Sequence, residues 1–240
     1  MDVGRGVMAV WNDLESGHEA EFDAWYQRQH IPERLNQPGF REARRYLAQR
    51  GSPRYCAFYW LDDITALATA QYLERLAQPT RWTQRIMPWF RDTARSPCTV
   101  TLDCGCGLGG TMMWIAAPAS TGITPARRSA LQREFNASCD AAGIVRMQLW
   151  ERDARADGHD NPEAQLRTTQ DFIAGWIVFI DASSEAAVGA AARRVQAAIG
   201  ADQTQTPLRM SPCYQLTWQV SAAAAPAPCS DEEAGVTGSA

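Results

Sequence analysis

The tripeptide Ser-Pro-Cys occurs twice in this chain, at residues 96–98 and 211–213. Each copy stands at the start of the last strand in a β-α-β-β-α-β succession. Three residues are a weak repeat, but their equivalent placement in two matching successions predicts an internal duplication. In the first copy, Val7-Met-Ala-Val-Trp11 reads as a buried strand ending at Asn12-Asp13. Ser16-Gly-His-Glu19 matches a capping box, and Phe22, Trp25, Tyr26 and Gln29 follow at helical spacing until Pro32 ends or kinks the helix. Gln37-Pro-Gly39 turns the chain into a strand over 40–48, and Gly51-Ser-Pro53 turns it back into the β-rich run 55–61. A helix over 65–77, an aromatic and arginine-rich extension over 80–90, and a strand over 98–102 complete the unit.

After Gly105-Cys-Gly-Leu-Gly-Gly110, the second copy reads as strand 111–117, helix 125–142 with Pro125 near its first position, strand 144–151, a polar loop 153–170, strand 172–180, helix 184–199 and strand 214–220. Gly143 ends the second copy's first helix as Gly39 ends the equivalent helix of the first. The expected organisation is residues 1–104 as one unit, 105–110 as a linker, 111–220 as a second, degenerate unit, and 221–240 as a disordered tail without periodicity. A βαββαβ order gives a four-stranded antiparallel sheet with both helices on one face, the ferredoxin-like arrangement. The bare face must be covered, so the expected fold is α+β, with the two units packed sheet to sheet as an intramolecular pseudo-dimer.

Composition narrows the chemistry. All 23 basic residues are arginine, which excludes a Schiff base, a lysine general base and a P-loop. A net charge of -4 argues against nucleic acid as a partner. No apolar run is long enough to span a bilayer and the start of the chain shows no signal-peptide pattern, so a cytoplasmic protein without a membrane partner is expected. Seven scattered cysteines do not read as a disulfide framework, and Cys104-Gly-Cys106 lacks neighbours to complete a tetrahedral metal set.

Of three histidines, His30 follows Tyr26 by four residues and Phe22 by eight, which projects it near the buried helix face. There it could exchange protons, or simply bond a free carbonyl at a helix end. His18 reads as solvated in its capping turn, and His159 as part of a loop. Tyr26, Tyr46, Tyr55 and Tyr59 are candidate donors to a developing oxyanion, with core packing as the alternative. Arg41 and Arg45 could grip a carboxylate or form a solvated face. Asn12 could orient a ligand or simply make its turn. Trp82 and Arg85 sit in a segment that either closes a pocket or packs the halves together.

Glu21-Phe22, Trp25-Tyr26, His30-x-Pro32, Pro38-Gly39-Phe40 and Arg45-Tyr46 together resemble the dimeric α/β barrel superfamily, and most closely its EthD-like branch. The resemblance covers roughly residues 5 to 103, and the second half lacks His-x-Pro. It implies a pocket between sheet and helices for a small aromatic or cyclic molecule. On that reading His30, Tyr46 and Tyr59 are catalytic, and Asn12, Trp25, Tyr26, Arg41, Arg45, Trp82 and Arg85 contact substrate. The expected activity is cofactor-independent proton transfer on a carbonyl compound, of isomerase, cyclase or C–C lyase type. The alternatives are a noncatalytic binding or accessory protein and a haem protein with His30 as axial ligand. Besides its small-molecule substrate, the expected partner is its own second half, with a homodimer compatible.

Overall fold

The computed structural model describes residues 4–156, 162–167, 171–200 and 207–235. The first unit consists of β1 (Gly6–Leu14), α1 (Glu19–Trp25), a π-helical turn (Tyr26–His30), α2 (Ile31–Leu35), β2 (Phe40–Ala48), β3 (Tyr55–Leu61), α3 (Ala70–Ala77), α4 (Arg81–Ile86) and β4 (Phe90–Gly105). The second consists of β5 (Thr111–Pro118), α5 (Pro125–Cys139), β6 (Ile144–Arg152), α6 (Pro162–Gln165), β7 (Ala174–Ala182), α7 (Glu185–Gly200), a short β8 (Arg209–Met210) and β9 (Tyr214–Ser221).

Strand order β4-β1-β3-β2 in the first unit and β6-β7-β5-β9 in the second is the same ferredoxin-like order written twice. The units join along their edges: β4 pairs with β6 and β2 pairs with β9, all antiparallel. Eight strands therefore close into one barrel, which removes every exposed edge. The strand pleat then sends alternate residues inward and outward. Val7, Ala9 and Trp11 of β1, and Phe58 and Trp60 of β3, fill the interior with Trp114, Trp150 and Phe179 of the second unit. Trp11 and Trp114 occupy equivalent first strands and stack with centroids 4.2 Å apart, so the two copies meet at this pair. Met8, Tyr59 and Leu61 point outward instead, into a layer shared with α1 through α4.

Several boundaries differ from those expected. His18, not Ser16, is the N-cap of α1, and Glu19 accepts a hydrogen bond from the Gly17 amide at 2.9 Å. His18 stacks on Trp89 at 3.8 Å rather than standing in solvent. The expected helix 65–77 breaks at Thr69, whose hydroxyl accepts the Tyr72 amide and caps α3. The 80–90 extension contains α4, capped by Thr80. Strand β4 starts eight residues earlier than expected. Gly39 and Gly143 both adopt positive φ, 84° and 92°, in the turns that follow equivalent helices. Cys104 and Cys139 form a disulfide across 35 residues, a link that cysteine spacing did not reveal. His159 lies outside the described residues.

The stretch 221–235, expected to be disordered, lies along the first unit's helices. Pro32 has no amide to offer the Arg28 carbonyl, and the Cys229 amide takes that carbonyl at 2.8 Å. The Gln29 amide donates to the Cys229 carbonyl at 3.0 Å, and the Asp231 carboxylate accepts the Arg81 and Trp82 amides at the start of α4. These are backbone and capping contacts, so they need no apolar periodicity.

Candidate functional site

His30 ends the π turn, where the Ile31 amide bonds back to the Tyr26 carbonyl, five residues earlier. A π turn inserts one extra residue into a helix and frequently marks a functional position. Here it turns the imidazole down onto the sheet. The ring lies tilted against Trp25 at 4.2 Å and meets Tyr26 and Tyr59 edge-on, at 5.3 and 6.3 Å. Trp25 is itself held by an indole hydrogen bond to Thr83.

His30, Tyr26 and Tyr59 border a pocket between sheet and helices. Its floor is Met8 and Val10 of β1, with Tyr59 of β3 on one side and Thr93 and Arg95 of β4 on the other. Tyr26, His30 and Arg34 hang over it from the helix, and Tyr72 of α3 closes one wall. Glu163 and Arg167 reach in from the second unit, so the site is built by both halves. The cavity volume is about 50 Å³.

The electrostatics are unusual for so buried a place. Arg34, 3% exposed, pairs with Glu163, 5% exposed. Arg167 binds Asp171, with a 2.9 Å bond from its Nε. Arg95 donates to the Tyr72 hydroxyl at 3.2 Å and has no carboxylate partner among the described residues. Burial holds the His30 imidazole well below its usual pKa, and the charges of Arg34, Arg45, Arg167 and Arg75 push the same way. The ring is therefore neutral at pH 7. Burial also lifts the Tyr59 phenol well above its usual value, so it is a hydrogen-bond donor and not a phenolate. Four buried polar atoms lining the pocket have no partner: His30 Nδ1, Arg34 Nη1, Tyr59 Oη and Thr93 Oγ1. Each such vacancy costs about 1–3 kcal/mol, which a ligand with matching groups would recover.

The remaining candidates lie elsewhere. Tyr46 faces the barrel interior on the opposite side of the sheet from His30, so it cannot act with that imidazole. Asn12 is buried and donates to the neighbouring Asp13 carbonyl, which is a turn contact. Trp25 touches His30 without bordering the pocket. Arg41 is exposed and paired with Asp62, because a bulge between Phe40 and Glu42 breaks the expected alternation with Arg45. Arg45 is buried over the Tyr26 ring at 4.2 Å and pairs with Asp23 at 2.8 Å, lining a neighbouring cleft. Trp82 and Arg85 both bind Glu21 on the outer surface of the helix layer. Arg34, Tyr72, Thr93, Glu163 and Arg167 were not anticipated. Arg34, one turn after His30, could have been found by helical spacing.

Haem would need more room at His30 than the structure holds: the cavity there is about 50 Å³, and Tyr26 and Tyr59 stand edge-on to the imidazole at 5.3 and 6.3 Å. Among the described residues no group of three or more His, Cys, Asp and Glu could hold a metal ion, and no helix is long and apolar enough to cross a membrane.

No protein family and no curated protein matches the chain in sequence. Solved structures do match in shape. A candidate monooxygenase of Fusobacterium nucleatum subsp. nucleatum superposes with a TM-score of 0.56 at 7% identity, covering 91% of this chain and 95% of that one. An anthrone oxidase-like protein superposes with a TM-score of 0.54 at 10% identity over 93% and 95% of the two chains. A candidate chlorite dismutase superposes with a TM-score of 0.50 at 9% identity over 90% and 96%. Such different chemistries on one scaffold mean that activity must be argued from the site. What the likeness carries is the fold, and the chain has that of the dimeric α/β barrel superfamily, with both ferredoxin-like units in one polypeptide.

Proposed function

We propose that this protein is a small-molecule enzyme that removes a proton from an aromatic or cyclic carbonyl compound, with His30 as general base and Tyr59 as donor to the resulting oxyanion. One observation carries the reading: a buried imidazole and a buried phenol, whose Nδ1 and Oη have no hydrogen-bond partner among the described residues, line one pocket with the guanidinium groups of Arg34, Arg95 and Arg167. A base must be neutral to accept a proton, and the surrounding positive charge favours the enolate or phenolate that deprotonation creates. The imidazolium formed is disfavoured in that surrounding, so the proton is passed on rather than kept. Isomerisation, cyclisation and C–C cleavage can each start from that anion. So can reaction with dioxygen, the chemistry that the names of two structural neighbours suggest. Noncatalytic binding is the second reading, favoured by the small enclosed volume.

The test is deuterium uptake, measured by NMR without oxygen, into a panel of cyclic ketones from 1,3-cyclohexanedione to anthrone. The protein should accelerate exchange at the acidic carbon of at least one. His30→Gln should lose a factor of about 10²–10⁴. Tyr59→Phe should lose up to about 10²–10³ while leaving the fold as stable or more so, since it deletes an unpartnered hydroxyl. Undiminished exchange by His30→Gln would remove the imidazole from the mechanism, and saturable binding without exchange would favour the binding protein.

A further inference from the structure

The pocket has two polar ends, and only one of them is used by proton transfer. Tyr59 lies on β3 opposite Met8, and Arg95 lies on β4 opposite Val10, with β1 between them. Two strand spacings across and two residues along separate the Tyr59 and Arg95 backbones by about 12 Å. Met8 and Val10 form an apolar floor over that span. His30 stands above the Tyr59 end.

At the far end Thr93 and Arg95 alternate onto the same face of β4. The Thr93 hydroxyl is buried, 2% exposed, and has no hydrogen-bond partner. Among the described residues Arg95 bonds the Tyr72 hydroxyl and no carboxylate. This stretch of β4 is fixed on both sides. β1 pairs along one edge, and Phe172 lies along the other, donating its amide to the Thr93 carbonyl at 2.8 Å and accepting the Arg95 amide at 3.1 Å. The Arg34 guanidinium, above the Tyr72 ring at 5.6 Å, contributes a further unpartnered nitrogen. Among the described residues, this strand thus offers a guanidinium without a carboxylate partner and a buried hydroxyl without a hydrogen-bond partner, facing an apolar floor of ring length.

We propose that the ligand of this pocket is a small ring-bearing carboxylate, its anionic end held by Arg95 and Thr93 and its ring laid over Met8 and Val10 towards His30 and Tyr59. The assignment rests on the reading of this pocket as the reactive site. A charge-assisted, two-point contact with Arg95 would discriminate the carboxylate from its neutral amide. Thr93 would add a weaker bond.

Benzoate and its near-isostere benzamide, titrated into the full-length protein by calorimetry, are the test. Benzoate should bind at least tenfold more tightly than benzamide. Arg95→Gln should weaken benzoate tenfold or more without changing benzamide, Arg95→Lys should retain part of the preference, and Thr93→Val should cost a few-fold. Equal affinity for the two probes, no binding of benzoate, or full benzoate affinity in a folded Arg95→Gln protein would each overturn the proposal. His30→Gln should still bind benzoate, which separates the two readings. Exchange dependent on His30 with no carboxylate preference sinks only this inference, whereas carboxylate preference without exchange sinks only the proton-transfer reading.

Discussion

The contact that most directly tests how the two halves build one site is the ion pair between Arg34 and Glu163. Glu163 belongs to α6, a single turn of the second unit, and reaches across to a guanidinium that is 3% exposed on the first. Replacing it with alanine strands a buried cation whose Nη1 already lacks a partner. Breaking a buried pair in this way costs about 3–5 kcal/mol, because the remaining charge keeps its desolvation penalty. In a chain of this size that corresponds to a fall in thermal midpoint of roughly 6–20 °C. A double replacement, Arg34→Met with Glu163→Leu, removes both charges and should return stability to within about 1 kcal/mol of the parent. Urea unfolding of the parent, Arg34→Met, Glu163→Leu and the double variant gives the coupling energy directly. If Glu163→Ala costs less than about 1 kcal/mol and the two changes simply add, then α6 does not seal the pocket and Arg34 is reached by water.

Three other perturbations report on separate parts of the same scaffold. Ending the chain after Ala224 removes the acceptor cap of α4 and the amide that satisfies the Arg28 carbonyl. Hydrogen exchange should then speed up in the π turn and α2, with a stability loss of about 1–3 kcal/mol; unchanged protection there would show the tail to be dispensable. Cys139→Ser opens the loop closed by Cys104, and for 35 residues of separation chain entropy predicts a loss of about 3–4 kcal/mol, read by urea unfolding against the oxidised parent. Acidity should act in two opposing directions. The folded pKa of His30 is lowered from 6.5, so its contribution is present above pH 6.5 and is lost as the pH falls towards the folded value. Burial lifts Asp181 from 3.8 to about 6, so its contribution is present below pH 3.8 and is lost as the pH rises through about 6. Thermal midpoints across pH 4–8 should therefore lose their acid-side decline in His30→Leu and their rise-linked loss in Asp181→Asn. An unchanged profile in either variant would mean that its group titrates alike in both states.

The architecture was legible because it depends on alternation and punctuation, which short segments carry by themselves. Val7–Trp11 and the 55–61 run contain their own strand signals, and Gly39 and Gly143 mark the same turn twice. The His30 end of the pocket was legible for a related reason: Tyr26 and His30 share a helix face, and Tyr59 lies on the strand beneath them. Tyr46 was misplaced because deciding which face of β2 turns inward requires knowing its bulges, at Arg41 and after Arg45. Thr93 was missed because the aromatic density of 80–90 hid the early start of β4. Glu163 and Arg167 had no local signal at all, since a polar loop gains its position only when the barrel has closed.

Why reactivity should sit in the first unit's helix layer follows from where this molecule leaves space. The barrel interior also has unpartnered polar atoms among the described residues, including Tyr46 Oη, Gln148 Nε2 and Asp181 Oδ1. Yet it is filled by stacked aromatics: Trp11 on Trp114, and Trp150 on Phe179 at 4.9 Å. A ligand could enter only by displacing them, and interiors packed to crystal density resist that. The second unit's helix layer is closed in a different way. Leu131, Phe135, Val188, Val195 and Ile199 lie against β5, β6 and β7 with no histidine among them. Its one buried cation, Arg127, lies over Trp176. Duplication therefore supplied two equivalent faces, of which the second became a support. That support is not passive. Its loop contributes Glu163 and Arg167 to the first unit's pocket, so the copy without its own histidine still supplies charge beside the one that has it. Placing the proposed reactive site in one half is thus compatible with keeping both: the second unit closes the barrel and completes the wall of the first unit's pocket.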